Sequence, residues 1–271
     1  MDLISLPTPL PSSPSGGAAL PWREALPGLR ILRRGLEPVR AIQIYGQRCS
    51  GTNALARLVE RNLGPDLFFE RYGFKHWFVP DQVLFGADVL VVVIARDAFD
   101  WLRSLHRQPW HVHPDIKRLD FSGFIRSEWH SVWDDHVGGI DERHPMRARE
   151  MLHERDPLTG SRFAGPLAKR RAKLAHWAGL EERAPNLALL SYETLRRAPE
   201  QVVRHLGVAA GLEPAVPFQP VDSYKGQEIR PFRPTPYDPF RDEDLAWIEA
   251  RLDPDLEGLY GLPHVFAGRP S

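Results

Sequence analysis

The sequence predicts an α/β fold in which a largely parallel sheet lies between layers of helices. Three observations lead there. Apolar runs of strand length alternate with segments of helical periodicity. The run DVLVVVIA, Asp88 to Ala95, is continuously apolar, as a parallel strand buried on both faces requires. A β-prone run, AIQIY from Ala41 to Tyr45, leads through a Gly/Ser/Thr turn into a helix.

Residues 1–36 are rich in Pro, Gly and Ser. Pro7, Pro9, Pro11, Pro14, Pro21 and Pro27 predict a mobile tail, with one short amphipathic segment near Trp22 to Leu36. The globular domain is then expected over residues 37–271. After the first strand, Leu55, Leu58, Val59 and Leu63 share one helical face. LFFERYGF reads as a second strand and DVLVVVIA as the central one. Asp97 is the expected N-cap of a helix whose apolar stripe is Phe99, Leu102 and Leu105. FSGFIRSEWHSVW and PLAKRRAKLAHWAGLEERA read as helical, with KRRAK (Lys169 to Lys173) as a solvated face. NLALLSY is a further strand, and a helix is expected from Pro199 to about Leu206. A Pro-rich loop spans Glu213 to Phe240, and RDEDLAWIEARL closes the chain as a helix.

Composition narrows the function classes. A chain of 271 residues, 42% of them hydrophobic, suits one large domain. Lys+Arg and Asp+Glu each total 35, so the net charge is zero and non-specific nucleic-acid binding is not expected. The single cysteine, Cys49, forms no internal disulfide. The first residues lack the basic flank and apolar core of a secretory signal, and no apolar run reaches the roughly 18 residues of a membrane span. A cytoplasmic protein is the expectation.

In sheets of this kind, ligands sit beyond the carboxyl ends of the strands. Attention falls on the residues just after Tyr45, Phe74 and Ala95. Gly46 to Gly51, GQRCSG, has the G-x-x-x-x-G spacing of a phosphate loop, but Thr52 and Asn53 stand where lysine and Ser/Thr would come next. Backbone amides and the helix N-terminus still favour an anion. Arg48, Ser50, Thr52 and Asn53 are candidate side-chain partners. A tight turn without a ligand explains the loop equally well. Arg96, at the tip of the central strand, offers a planar fork for phosphate oxygens, and Ser104 adds a hydroxyl two turns into the helix. An ion pair of Arg96 with Asp97 or Asp100 is the simpler alternative. Lys75 and His76 come just after the second strand. His111 and His113 form an H-x-H pattern in a loop with Trp110, without the full ligand set of a metal site, and no metal is expected.

Three blocks in this order resemble the sulfotransferases that use 3′-phosphoadenosine 5′-phosphosulfate: RCSGTNAL, VVVIARDAFDWLRSL and LLSYETLRRAPEQVVRHLG. YKGQ, Tyr224 to Gln227, is similar to that family's late Lys-Gly loop. The resemblance implies a P-loop-type three-layer sandwich and transfer of a sulfuryl group, without a metal, to a hydroxyl or amine of a small-molecule or carbohydrate acceptor. It implies that Arg48, Cys49, Ser50, Gly51, Thr52 and Asn53 form the 5′-phosphosulfate loop, that Arg96 and Ser104 bind the 3′-phosphate, and that Lys225 and Gly226 close over it. His76 is the implied base, with Lys75 or Arg48 on the phosphosulfate, and Tyr192 and Glu193 are read as supports. Two features depart from the family. Cys49 stands where it places Lys or Arg. Ala54 stands where an adenine-stacking aromatic is common, leaving Trp101 or a late-loop residue for that role. A non-catalytic P-loop nucleotide-binding protein or a small-molecule kinase is the alternative.

Overall fold

The computed structural model describes residues 22–136, 139–223, 231–233 and 235–268. Six strands form one sheet: β1 (Arg23–Leu26), β2 (Leu29–Arg33), β3 (Ala41–Gly46), β4 (Phe68–Phe69), β5 (Val89–Ala95) and β6 (Asn186–Ser191). Their spatial order is β1-β2-β6-β5-β3-β4. The last four in that order run parallel, and β2 joins β6 antiparallel.

Of the tail expected over residues 1–36, residues 1–21 lie outside the described residues, and the start of the domain at 37 is corrected to the stretch before it. Residues 23–33 form an antiparallel hairpin that extends the sheet beyond β6. Pro27 and Gly28 turn the chain, Gly28 at φ 80°, and Leu29 and Leu32 are fully buried. The prolines of the preceding stretch hid this x-Pro-Gly-x signal.

The sheet is buried on both sides, which explains the unbroken apolar run of β5. Ile42, Ile44, Leu90, Val92, Ile94, Ala188 and Leu190 face one core. It is completed by α1 (Thr52–Asn62), α6 (Tyr192–Arg197) and α7 (Pro199–Ala210). Tyr45, Val91, Val93, Leu187 and Leu189 face the other, against α5 (Pro166–Ala178), Leu256 of α9 (Pro254–Leu259) and Tyr260 just beyond it. A third cluster packs α2 (Ala98–Arg107) against α4 (Phe121–Arg126) and α8 (Asp242–Glu249), with Ile116 of α3 (Pro114–Lys117). No helix of the described residues is long and apolar enough to cross a membrane.

Four further expectations change. Of LFFERYGF only Phe68 and Phe69 pair with β3, because Tyr72 and Phe74 turn inward to ring contacts. The helix from Phe121 stops at Arg126; the chain beyond is extended, and bridges join Val112 to Ser131 and Val132 to Glu150. Asp253 caps one more helix, α9, after the expected last one. Lys169, Arg170 and Lys173 of KRRAK are buried, not solvated.

Topology places the site. From β3 the chain passes to β4 on one side and then to β5 on the other, so the connections diverge between β3 and β5. The two strands end level, with Gly46 opposite Ile94. The loop leaving each strand therefore meets its neighbour beyond the sheet.

Candidate functional site

A cavity of about 740 Å³ opens at this divergence point, within the range of small-molecule sites. One wall is the turn after β3. Cys49 at φ 66° and Gly51 at φ 86° are separated by one residue, an alternation that turns backbone N–H groups into a concavity. Gly51 is the N-cap of α1. The positive end of an 11-residue helix thus faces the cavity with no capping side chain among the described residues and no acidic residue in its first turn. Thr52 and Asn53 line the same wall.

Gly51→Ala is expected to disturb this wall twice. An added Cβ would lie 2.5 Å from Cδ2 of Tyr192, and φ is left-handed. We expect a stability loss of about 1–2 kcal/mol in thermal unfolding.

The facing wall comes from β5 and α2. Arg96 Nη1 donates to the carbonyl of Cys49 at 3.3 Å, and the guanidinium lies 5.0 Å from the Tyr192 ring centroid. Its Nε is buried and has no hydrogen-bond partner among the described residues. Asp97 does not compete for it, because its carboxylate caps α2 by accepting from Asp100 N at 2.9 Å. Ser104 lines the cavity, and the Sγ of Cys49 sits 3.8 Å from its carbonyl oxygen. The turn and the strand tip therefore meet as expected.

Other expected residues sit differently. Ser50 is fully buried with its Oγ unpartnered among the described residues, and it does not line the cavity. Trp101 is buried in the third core and its indole donates to the Arg48 carbonyl at 2.9 Å, so it supports the turn and offers no stacking face. Glu193 is a support, accepting from Asp97 N at 3.1 Å. Tyr192 is instead part of the cavity wall, together with Arg196 and Phe232. Lys225 and Gly226 lie outside the described residues. Lys75 pairs with Glu70 at 3.1 Å and lines the cavity.

Arg48 borders the cavity, but its guanidinium turns inward to Glu154 at 2.9 Å. The same buried carboxylate pairs with Lys173 at 3.2 Å and with Lys169. Beside this cluster, Arg170 pairs with Glu257 at 2.6 Å and donates to Gln47 Oε1 at 2.8 Å and to the Arg96 carbonyl at 2.8 Å. The basic run read as a surface is thus a charged buttress under the turn. Burial pushes Lys169 and Lys173 far below the ordinary lysine range, reinforced by Arg48. Arg48 and these two lysine amines thus gather around one carboxylate on the underside of a turn that lacks its own cation at Cys49.

Two histidines line the cavity. His76 Nδ1 donates to the Gly46 carbonyl at 2.6 Å, and Phe74 meets the ring edge-on at 5.0 Å. Burial holds His76 well below the usual histidine range, and the positive charges of Arg48, Lys75 and Lys173 add to this. His111 is bound to Asp134, whose carboxyl is held at about 2, with the bond to His111 the largest cause that lowers it against desolvation. Asp134, Asp135 and His136 bring ligand atoms within 4.8 Å of one another. Asp134 already holds His111 and Lys117, and exposed carboxylates gather in this way without an ion.

Sequence reading missed the Glu154 and Asp134 partnerships. They span 106 and 23 residues and leave no local pattern. No family model matches the chain, and no curated protein or solved structure matches it.

Proposed function

We propose that the chain is a sulfotransferase with a P-loop-type fold. It moves the sulfuryl group of 3′-phosphoadenosine 5′-phosphosulfate to a hydroxyl or amine of a small-molecule or carbohydrate acceptor. One observation carries the reading: the uncapped α1 turn and the Arg96 guanidinium, two separate anion-holding devices, face one cavity of nucleotide size. A donor with anionic groups at both ends of a nucleoside suits that pair. The turn's amides hold the phosphosulfate, while Arg96 and Ser104 hold the 3′-phosphate. Arg196, Tyr192 and Phe232 line the cavity with a guanidinium and aromatic rings suited to a base.

The reaction is an in-line displacement. The acceptor oxygen or nitrogen forms a bond to sulfur as the bridge from sulfur to the 5′-phosphate breaks. The phosphate leaves with the electron pair, and the acceptor proton passes to a base. Charge grows on the bridge oxygen, so fixed positive potential is the main catalytic requirement. The helix end and Lys75, which both line the cavity, supply it. A magnesium-dependent kinase fits less well, because Thr52 and Asn53 stand where that chemistry places its lysine and metal-holding hydroxyl.

Calorimetry tests this directly. 3′,5′-Adenosine bisphosphate should bind without magnesium and more tightly than magnesium-ATP. The reverse preference removes the proposal in favour of the kinase or binder.

A further inference from the structure

We infer that His111, oriented by Asp134, takes the proton from the attacking acceptor, and that His76 stays a fixed neutral wall of the cavity. This rests on the sulfuryl-transfer reading.

His111 lies just beyond α2 and lines the cavity with Cys49 and Ser104. Its backbone is left-handed at φ 58°, a region few non-glycine residues adopt and in which His, Asn and Asp are enriched, and the residue is only 7% exposed. One carboxylate clamps it at two points. Asp134 Oδ2 accepts from the backbone N–H at 3.2 Å, and Oδ1 accepts from ring Nδ1 at 2.6 Å. Asp134 is itself fixed by Lys117 Nζ at 3.6 Å and the backbone N–H of His136 at 3.1 Å. An ionised carboxylate only accepts, so the proton sits on Nδ1 and the lone pair is on Nε2. This is the arrangement in which a carboxylate selects the tautomer of a base.

The charges around the two rings decide between them. Asp134, His136 and Arg48 act on His111, with Lys117 behind Asp134. Burial keeps the ring deprotonated at neutral pH, and the imidazolium that forms on proton uptake rests against a full negative charge. His76 has the opposite surroundings. Its Nδ1 is tied to a neutral carbonyl, and Arg48, Lys75 and Lys173 all oppose a second proton. During transfer the acceptor's O–H or N–H bond breaks and its proton goes to His111 Nε2 as the bond to sulfur forms. The bridge electrons leave on the 5′-phosphate.

Two measurements on the full chain test this. Ring-nitrogen NMR at neutral pH should find His111 as the Nδ1–H tautomer, and Asp134→Asn should lose that preference. A wild-type Nε2–H tautomer overturns the inference. Transfer from radiolabelled donor to water or to a set of simple alcohols and phenols gives the second readout. His111→Asn, whose side chain tolerates the left-handed backbone, should lower turnover about 10²–10⁴-fold with 3′,5′-adenosine bisphosphate affinity kept. His76→Gln should lower it less than about tenfold on the same scale. Unchanged turnover in His111→Asn, or no transfer by a wild type that binds the nucleotide, overturns the assignment. Failure of the nucleotide to bind at all is a different result, and removes the sulfuryl-transfer reading itself.

Discussion

Arg96→Ala is expected to weaken 3′,5′-adenosine bisphosphate binding about 10²-fold while leaving the fold intact. Two hydrogen bonds from a guanidinium to a phosphate contribute about 3 kcal/mol together, and each 1.4 kcal/mol is tenfold. Arg96 fits this role because its protein contacts are few: one bond to the Cys49 carbonyl at 3.3 Å and the face of Tyr192. Its removal breaks no ion pair among the described residues, although it takes a positive charge away from the half-buried Glu193, so the melting temperature should fall only modestly. Arg96→Lys should recover part of the affinity, since an ammonium keeps the charge but loses the planar fork. Calorimetry across the three proteins checks the order. Equal affinity in all of them would show that the anion lies elsewhere.

Glu154→Ala should be the most damaging single change to stability. Glu154 is 2% exposed and is the carboxylate partner of Arg48, Lys169 and Lys173. Removing one member of a buried ionic cluster costs about 3–5 kcal/mol, because the remaining charges are stranded. Total stability of a domain is about 5–15 kcal/mol, so a large share is lost. Both lysines sit well below the ordinary lysine range, first through burial. The unfolded chain therefore binds more protons than the folded one between their folded and unfolded values. Stability contributed by these groups rises with pH across that window and falls as pH drops. The deficit of Glu154→Ala should accordingly shrink as pH rises, because the stranded lysines give up their protons. Glu154→Ala combined with Lys169→Met should be less unstable than Glu154→Ala alone. Denaturant melts at several pH values decide this, and a loss below about 1 kcal/mol would mean the cluster is not buried as described.

Part of this site was legible in the residues themselves. The G-x-x-x-x-G spacing after a β-prone run marked the turn, and the apolar run ending in Ala95 placed Arg96 at a strand tip. Asp97 announced α2 by its capping chemistry, and it does accept from Asp100 N. The failures share a pattern. Lys169 and Lys173 looked like a solvated face because a basic run on a helix is normally one; only a carboxylate from a distant segment makes their burial tolerable. Arg48 looked available to an anion until Glu154 claimed it. The hairpin of residues 23–33 was lost among prolines because its apolar side chains gain their burial from β6, more than 150 residues away in sequence.

By itself the sequence determined the alternation of strands and helices, the buried central strand and the turn that opens α1. These depend on period, capping and glycine placement, which are properties of near neighbours. The tertiary structure alone decided which charges meet: Arg48 with Glu154 and His111 with Asp134. Charge pairing acts over a few ångströms of space and is blind to chain separation, so no local pattern records it.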